Sequence, residues 1–171
     1  MKKLLLGAVV LCAISFVSTA NADQAAFILS GSGWSSSGTF YGSPTTPGTW
    51  LITDASGQFD GIGITGVWPT SNYGNIFVFN NLYYWPGPPN VDNLGIVVTL
   101  QDGGLVNFCY DVPNCALPGG YAALLWEPNT GVTYLNADSV YFGKPIPEPA
   151  TLALMGTGVV GLFGSMRRRF S

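Results

Sequence analysis

The middle of the chain consists of short apolar and aromatic runs that turn-forming residues interrupt, and this pattern constrains the fold most. The 171 residues include 23 glycines and 12 prolines. No segment of the middle shows a 3.6-residue apolar stripe long enough for a stable helix. Short runs separated by Gly, Pro, Asn and Asp are typical of strands. We therefore predict an all-β domain over residues 23–143, a β-sandwich of the jelly-roll type.

The apolar runs predict the strands, and turn-forming residues between two of these runs predict a hairpin. Gln101-Asp102-Gly103-Gly104 separates two apolar runs, and Asp-Gly at its centre predicts a two-residue type I′ turn. A turn shifted by one residue is the alternative, because Gly104 could also serve. Asp54 lies in a second segment that is typical of a turn, residues 53–57. Strands are expected at 26–29, 38–41, 49–53, 62–68, 76–80, 82–85, 95–100, 105–110, 121–126, 132–135 and 139–142.

The N-terminus has the composition of a cleaved signal peptide. Lys2 and Lys3 precede an apolar run over 4–17, and Ala20-Asn21-Ala22 follows as an A-x-A cleavage site. We predict a signal helix within residues 1–22, cut after Ala22 or, alternatively, after Ala20. Cys12 lies inside the apolar run and is removed with it.

The C-terminus combines a short polar motif, an apolar run and a basic cluster. Pro147-Glu148-Pro149 is followed by the uncharged stretch 150–166 and then by Arg167, Arg168 and Arg169. At 1.5 Å per residue the stretch is about 25 Å long as a helix, the short end of what spans a bilayer. We predict a linker over 144–149, a transmembrane helix over 150–166 and a basic cytoplasmic tail over 167–171.

This arrangement resembles the PEP-CTERM sorting signal of bacterial proteins that exosortases process. The resemblance implies a precursor in the inner membrane with its β domain outside. It also implies a cut at or beside Pro147-Glu148-Pro149 by an exosortase-like enzyme, and transfer to the cell surface or the extracellular matrix. A membrane anchor that is never cut is the alternative.

The middle of the chain has a resemblance of its own. Five segments carry it: Gly48-Thr49-Trp50-Leu51-Ile52-Thr53, Gly61-Ile62-Gly63-Ile64-Thr65-Gly66, Asn81-Leu82-Tyr83-Tyr84, Gly95-Ile96 and Gly103-Gly104-Leu105-Val106-Asn107-Phe108. In this order they resemble a β-rich ectodomain often found ahead of such a signal. The resemblance covers residues 37–142 and supports fold and destination only, because families of this kind are mostly without an assigned role.

The charge of the exported part excludes several classes of partner. Between residues 23 and 146 the chain has one basic residue, Lys144, against eight acidic ones, and it has no histidine. The net charge of this part is therefore near −7. Nucleic acid cannot bind, because nothing neutralises its phosphates. Anionic lipids and acidic polysaccharides are disfavoured for the same reason.

The same inventory argues against an enzyme. Without histidine, neither a Ser-His-Asp triad nor an imidazole metal site can be built. A carboxylate-dependent glycosidase is chemically possible. However, Asp54, Asp60 and Asp102 lie beside turn residues, where Asp usually bonds to nearby backbone. We expect no catalytic residue, no metal site and no cofactor.

Two cysteines remain in the exported part. Cys109 ends an apolar run and Cys115 follows after a short loop. An oxidising compartment and an even count favour a Cys109–Cys115 disulfide. Two free buried thiols are the alternative.

The cluster Tyr83-Tyr84-Trp85 is the candidate binding surface. Aromatic faces stack on sugar rings, and the prolines that follow would stiffen the platform. A neutral glycan suits a domain with almost no basic residues. The alternative is ordinary core packing of the same side chains. We expect a structural or adhesive protein of an exopolysaccharide or biofilm matrix, with a neutral-glycan-binding module as the alternative and a glycosidase as the third candidate.

The first prediction concerns the mature N-terminus. Export should remove residues 1–22, so N-terminal sequencing of the exported protein should begin at Asp23, or at Asn21 if Ala20 is the cleavage site. Exported protein that begins at Met1 would contradict a cleaved signal peptide.

Overall fold

A computed structural model describes residues 23–69, 76–111 and 120–146 of the chain. The predicted signal helix and transmembrane helix lie outside these ranges. The described part is all-β, as predicted, and none of its residues form a helix that could cross a membrane. Its strands are β1 (Asp23–Gly31), β2 (Trp34–Thr46), β3 (Thr49–Phe59), β4 (Ile62–Val67), β5 (Leu82–Tyr84), β6 (Ile96–Leu100), β7 (Leu105–Tyr110), β8 (Tyr121–Glu127), β9 (Gly131–Asn136) and β10 (Ser139–Phe142).

The strands form one antiparallel sheet. Its order is β10-β1-β2-β3-β4-β6-β7-β8-β9, with β5 paired to β3. β9 and β10 lie at opposite ends of this order although only Ala137 and Asp138 separate them in sequence. The N–H of Asp138 donates to the carbonyl of Ser30 at 2.8 Å and so holds this link against β1. The sheet is therefore curled, and the predicted jelly-roll sandwich of two sheets is not confirmed.

Glycines on adjacent strands permit the curl. Gly38 of β2 is the cross-strand partner of Gly57 of β3. A Cβ on Gly57 would fall on the carbonyl oxygen of Ser37, and its φ of 141° is one that other residues rarely adopt. A close approach of two backbones at this point requires residues without side chains.

β3 continues through the segment that the sequence predicts as a turn. Asp54 lies inside the strand, where the register with β2 shifts by one residue. Its Oδ1 accepts the N–H of Ala55 at 2.8 Å. The predicted turn at 53–57 is therefore wrong. A β-bulge lies here instead, because Thr53 has no partner between the pairs Tyr41–Asp54 and Gly42–Ile52, and Asp54 bonds to nearby backbone as it would in a turn.

The predicted hairpin of β6 and β7 is confirmed, but its turn is of a different type. The N–H of Leu100 donates to the carbonyl of Gly104 at 2.9 Å, and the N–H of Gly103 donates to the carbonyl of Leu100 at 3.1 Å. Only Gly103 of the loop has positive φ, so this is a three-residue loop rather than a type I′ turn. Asp60-Gly61 between β3 and β4 has positive φ at both residues, as a type I′ turn requires.

Apolar clusters cover both faces of the sheet. The larger cluster centres on Phe27, whose ring stacks on Phe40 with centroids 4.2 Å apart. The smaller one lies on the other face of β6–β8, where Phe77 and Phe79 cover it. The predicted strand at 76–80 is therefore wrong. Its apolar alternation reflects a segment laid over a sheet face, with Val78 exposed, rather than a hydrogen-bonded strand.

The two ends of the described domain are paired. Gln24 and Ile146 exchange two backbone hydrogen bonds of 2.8 Å. Trp50 adds a side-chain contact, because its Nε1 donates to Oδ2 of Asp23 at 2.6 Å. Ile146 is the third residue of the predicted linker 144–149, so this linker is hydrogen-bonded to β1 before the Pro-Glu-Pro motif begins.

Candidate functional site

Tyr83, the first residue of the predicted glycan surface, lies in the core. β5 pairs with β3 so that Tyr83 is opposite Trp50, and its side chain is fully buried. Its hydroxyl donates to the carbonyl of Gly143 at 2.6 Å, and its ring packs edge-on against Phe142. Tyr83 is not accessible to a glycan, so this part of the prediction is corrected.

Tyr84 and Trp85 do not form a flat exposed face with it. Tyr84 is half-buried, and its hydroxyl donates to Oδ2 of Asp92 at 2.9 Å. Trp85 is partly buried against the larger apolar cluster. Glycan contact by Tyr84 and Trp85 stays a prediction. Successive side chains of β5 point to opposite faces of the sheet, and Tyr83 is the one that points into the core.

The carboxylate of Asp92 is occupied by four hydrogen bonds. Its Oδ1 accepts the N–H groups of Leu94 and Gly95 at 2.9 and 3.0 Å. Its Oδ2 accepts Nδ2 of Asn80 at 2.7 Å in addition to the Tyr84 hydroxyl. A carboxylate with both oxygens engaged fixes a loop and has no free lone pairs for a substrate.

Asn81 joins four parts of the sheet and is almost fully buried. Its Nδ2 donates to the carbonyl of Trp68, and its Oδ1 accepts the N–H of Val97, both at 2.9 Å. Its own backbone bonds to Gly95 and Ile52 at 3.0 and 2.9 Å. Its φ is 56°, a left-handed conformation that Asn tolerates better than most residues.

Burial raises the pKa of three tyrosines around this loop. The pKa of Tyr84 rises to about 12, first through desolvation and then through its hydrogen bond to Asp92. Desolvation also raises the pKa of Tyr83 and of Tyr121. The Tyr121 oxygen accepts the N–H of Asn90 at 2.8 Å, and this contact lowers its pKa in part. All three phenols are therefore neutral at physiological pH.

The other predicted site residues lie mostly outside the described ranges. Cys109 is buried on β7, but Cys115 is outside, so their disulfide stays a prediction. In the described part, no three Cys, Asp or Glu residues are grouped as a metal site would require. The signal-peptide and sorting-signal residues also lie outside: Ala20, Ala22, Pro147, Glu148, Pro149, Arg167, Arg168 and Arg169.

A small cavity lies between segments that no sequence motif marks. It is formed by the loop between β1 and β2 together with β9 and the link to β10. About a hundred residues separate the two segments, so no short motif could reveal their contact. The cavity measures about 250 Å³ and is lined by Ser32, Trp34, Tyr134, Leu135, Asn136 and Asp138.

The described residues thus form a β domain with a curled antiparallel sheet. The family model of the PEP-CTERM protein-sorting motif matches residues 145–169. The resemblance of the C-terminus to this sorting signal is confirmed, and the chain carries a PEP-CTERM protein-sorting motif at these residues. No curated protein and no solved structure matches the chain.

Removal of the Asn81 side chain should destabilise the domain strongly. Asn81→Ala leaves the carbonyl of Trp68 and the N–H of Val97 buried without partners, at about 1–3 kcal/mol for each group. Urea unfolding should show a loss of about 2–4 kcal/mol in the free energy of unfolding. Asn129→Ala removes the same amide from an exposed turn and should cost less than about 0.5 kcal/mol. Equal losses in the two variants would contradict the role of Asn81.

Alkaline pH should weaken the fold through the buried phenols. A tyrosine whose pKa is higher in the folded state binds its proton more tightly there than in the unfolded chain. The stability that these phenols contribute should therefore be fully present below pH 10 and be lost as the pH rises from 10 toward 12, so the free energy of unfolding should fall over this range. Urea titrations at pH 8, 10 and 11.5 measure this, and the fall should be smaller in Tyr84→Phe. A free energy of unfolding that stays constant up to pH 11.5 would contradict it.

Proposed function

We propose that this chain is an exported matrix protein whose β domain has a structural or adhesive role. The precursor is held in the inner membrane, with the domain outside. An exosortase-like enzyme cuts at or beside Pro147-Glu148-Pro149. The domain then reaches the cell surface or the extracellular matrix, where it associates with exopolysaccharide or biofilm material.

The observation that carries the proposal is the sorting motif at 145–169. It begins where the described domain ends, since Ile146 still pairs with Gln24 of β1. A cut at or beside Pro147-Glu148-Pro149 would therefore leave every described strand in the released part. This suits a protein whose function lies in the β domain after its removal from the membrane.

The domain's role is proposed to be non-catalytic. A glycosidase needs two carboxyl groups about 5–9.5 Å apart across a sugar. The cavity of the described part is lined by one carboxylate, Asp138, and the Asp92 carboxylate is fully engaged elsewhere. The charge near −7 supports solubility and association with uncharged polymers rather than with anionic ones.

Replacement of Glu148 tests the sorting step. Glu148→Gln removes the charge of the motif but leaves the apolar stretch and the arginines, so membrane insertion should continue while the cut fails. Full-length protein should accumulate in the inner membrane fraction, as immunoblots of fractionated cells would show. Lys144→Gln, a neutral substitution four residues earlier, should be cut and released like the wild type.

A second variant separates retention from cutting. Replacing Arg167, Arg168 and Arg169 with glutamine removes the barrier that keeps the tail cytoplasmic. The uncut chain should then no longer be retained in the inner membrane fraction. If Glu148→Gln is cut and released into the matrix fraction as the wild type is, the cut does not depend on the motif and the proposed sorting step is wrong. If the wild type itself stays full-length in the inner membrane, the C-terminus is an anchor that is never cut.

A further inference from the structure

The cavity beside β9 offers free backbone groups at a sheet edge. Trp34 donates its indole N–H to the carbonyl of Asn136 at 3.0 Å, so this carbonyl points away from β8. Because alternate residues of a strand direct their backbone groups to the same side, the N–H and C=O of Tyr134 face the same edge. In the described part, β8 is the only strand paired with β9. These groups of Tyr134 are therefore available to a ligand.

The polar side chains around the cavity are also available. Within the described ranges, the side chains of Ser32, Asn136 and Asp138 make no hydrogen bond to another protein group. They offer a hydroxyl, an amide and a carboxylate, which together donate and accept hydrogen bonds without any positive charge. An anionic ligand would meet Asp138 with no cation to offset it. A ligand rich in neutral hydroxyl groups fits this set.

Two aromatic side chains also line the cavity. Tyr134 lines the cavity and is 58% exposed, whereas Trp34 is 6% exposed and forms part of the wall. An accessible aromatic ring beside hydrogen-bonding groups binds a molecule that has an apolar face and a polar rim. A sugar ring has both. A volume of about 250 Å³ lies just below the range of pockets for drug-sized ligands, roughly 300–1,000 Å³, and suits one or two sugar rings.

We propose that this cavity binds one or two rings of a neutral polysaccharide, with Tyr134 as the stacking residue and Asp138 as an acceptor of sugar hydroxyl groups. This inference rests on the proposed function and names the ligand class through which the domain adheres to the matrix. The cavity is distinct from the surface that the sequence predicts, of which Tyr83 is buried in the core. A peptide strand is a poorer occupant, because the Trp34 indole already uses the Asn136 carbonyl at this edge.

Affinity electrophoresis of the exported protein tests the inference. Native gels containing dextran, laminarin or galactomannan serve as neutral probes, and alginate serves as the anionic one. At least one neutral polysaccharide should retard the wild type, and alginate should not. Tyr134→Ala should weaken the apparent affinity at least tenfold, and Asp138→Asn should weaken it by a smaller factor because the amide oxygen still accepts.

Tyr141→Ala is the matched control. Tyr141 is 56% exposed, similar to Tyr134, but it lies on β10 and does not line the cavity. This variant should be retarded like the wild type. Equal loss in Tyr141→Ala and Tyr134→Ala would overturn the assignment of the cavity.

Two further outcomes overturn the inference while leaving the sorting step intact. The first is a wild-type protein that is cut and exported but is retarded by none of the three neutral polysaccharides. The second is a wild-type dimer on size-exclusion chromatography that Tyr134→Ala converts to a monomer, again without retardation. In that case the edge of β9 pairs with a second copy of the chain instead of binding sugar.

Discussion

The amide of Asn81 is the contact on which the arrangement of the sheet depends. β4 and β6 pair at Val67 and Val98, and the next pair along the ladder would be Trp68 and Val97. One of its two backbone bonds is present at 2.8 Å. The Asn81 side chain fills the place of the other, since it donates to the Trp68 carbonyl and accepts the Val97 N–H. An amide has one donor group and one acceptor group like a peptide unit, so it can be inserted without leaving a buried group unpaired.

The inserted amide also connects the loop around Asp92 to the core. Because Asn81 is fixed, β5 follows directly, pairs with β3 and directs Tyr83 inward. Asn80 and Tyr84 flank this position and both bond to the Asp92 carboxylate. β5 has only three residues and few backbone hydrogen bonds to β3, so these side-chain hydrogen bonds help to hold it in place. Such networks stabilise a loop when every member is satisfied, as these members are.

Most β-strands were predictable from the sequence, whereas contacts between segments far apart in the chain were not. Runs such as 105–110 and 139–142 alternate or remain apolar over a strand's length, and their bounds agree with β7 and β10. The segment 53–57 has the composition of a turn, but Asp54 lies beside a β-bulge and Gly57 pairs in register with Gly38. The two-sheet sandwich was expected because apolar alternation indicates a buried face but not which strands are neighbours. The cavity depends on Trp34 meeting Asn136, a contact that no local pattern encodes.

The pairing of Gln24 with Ile146 has a topological consequence. The chain enters and leaves the sheet at neighbouring points, so the domain has the geometry of an insert whose two connections begin side by side. Such a unit can be joined to other segments, or separated from them, without a change in its internal strand order. The order of the described strands therefore does not depend on what either connection leads to.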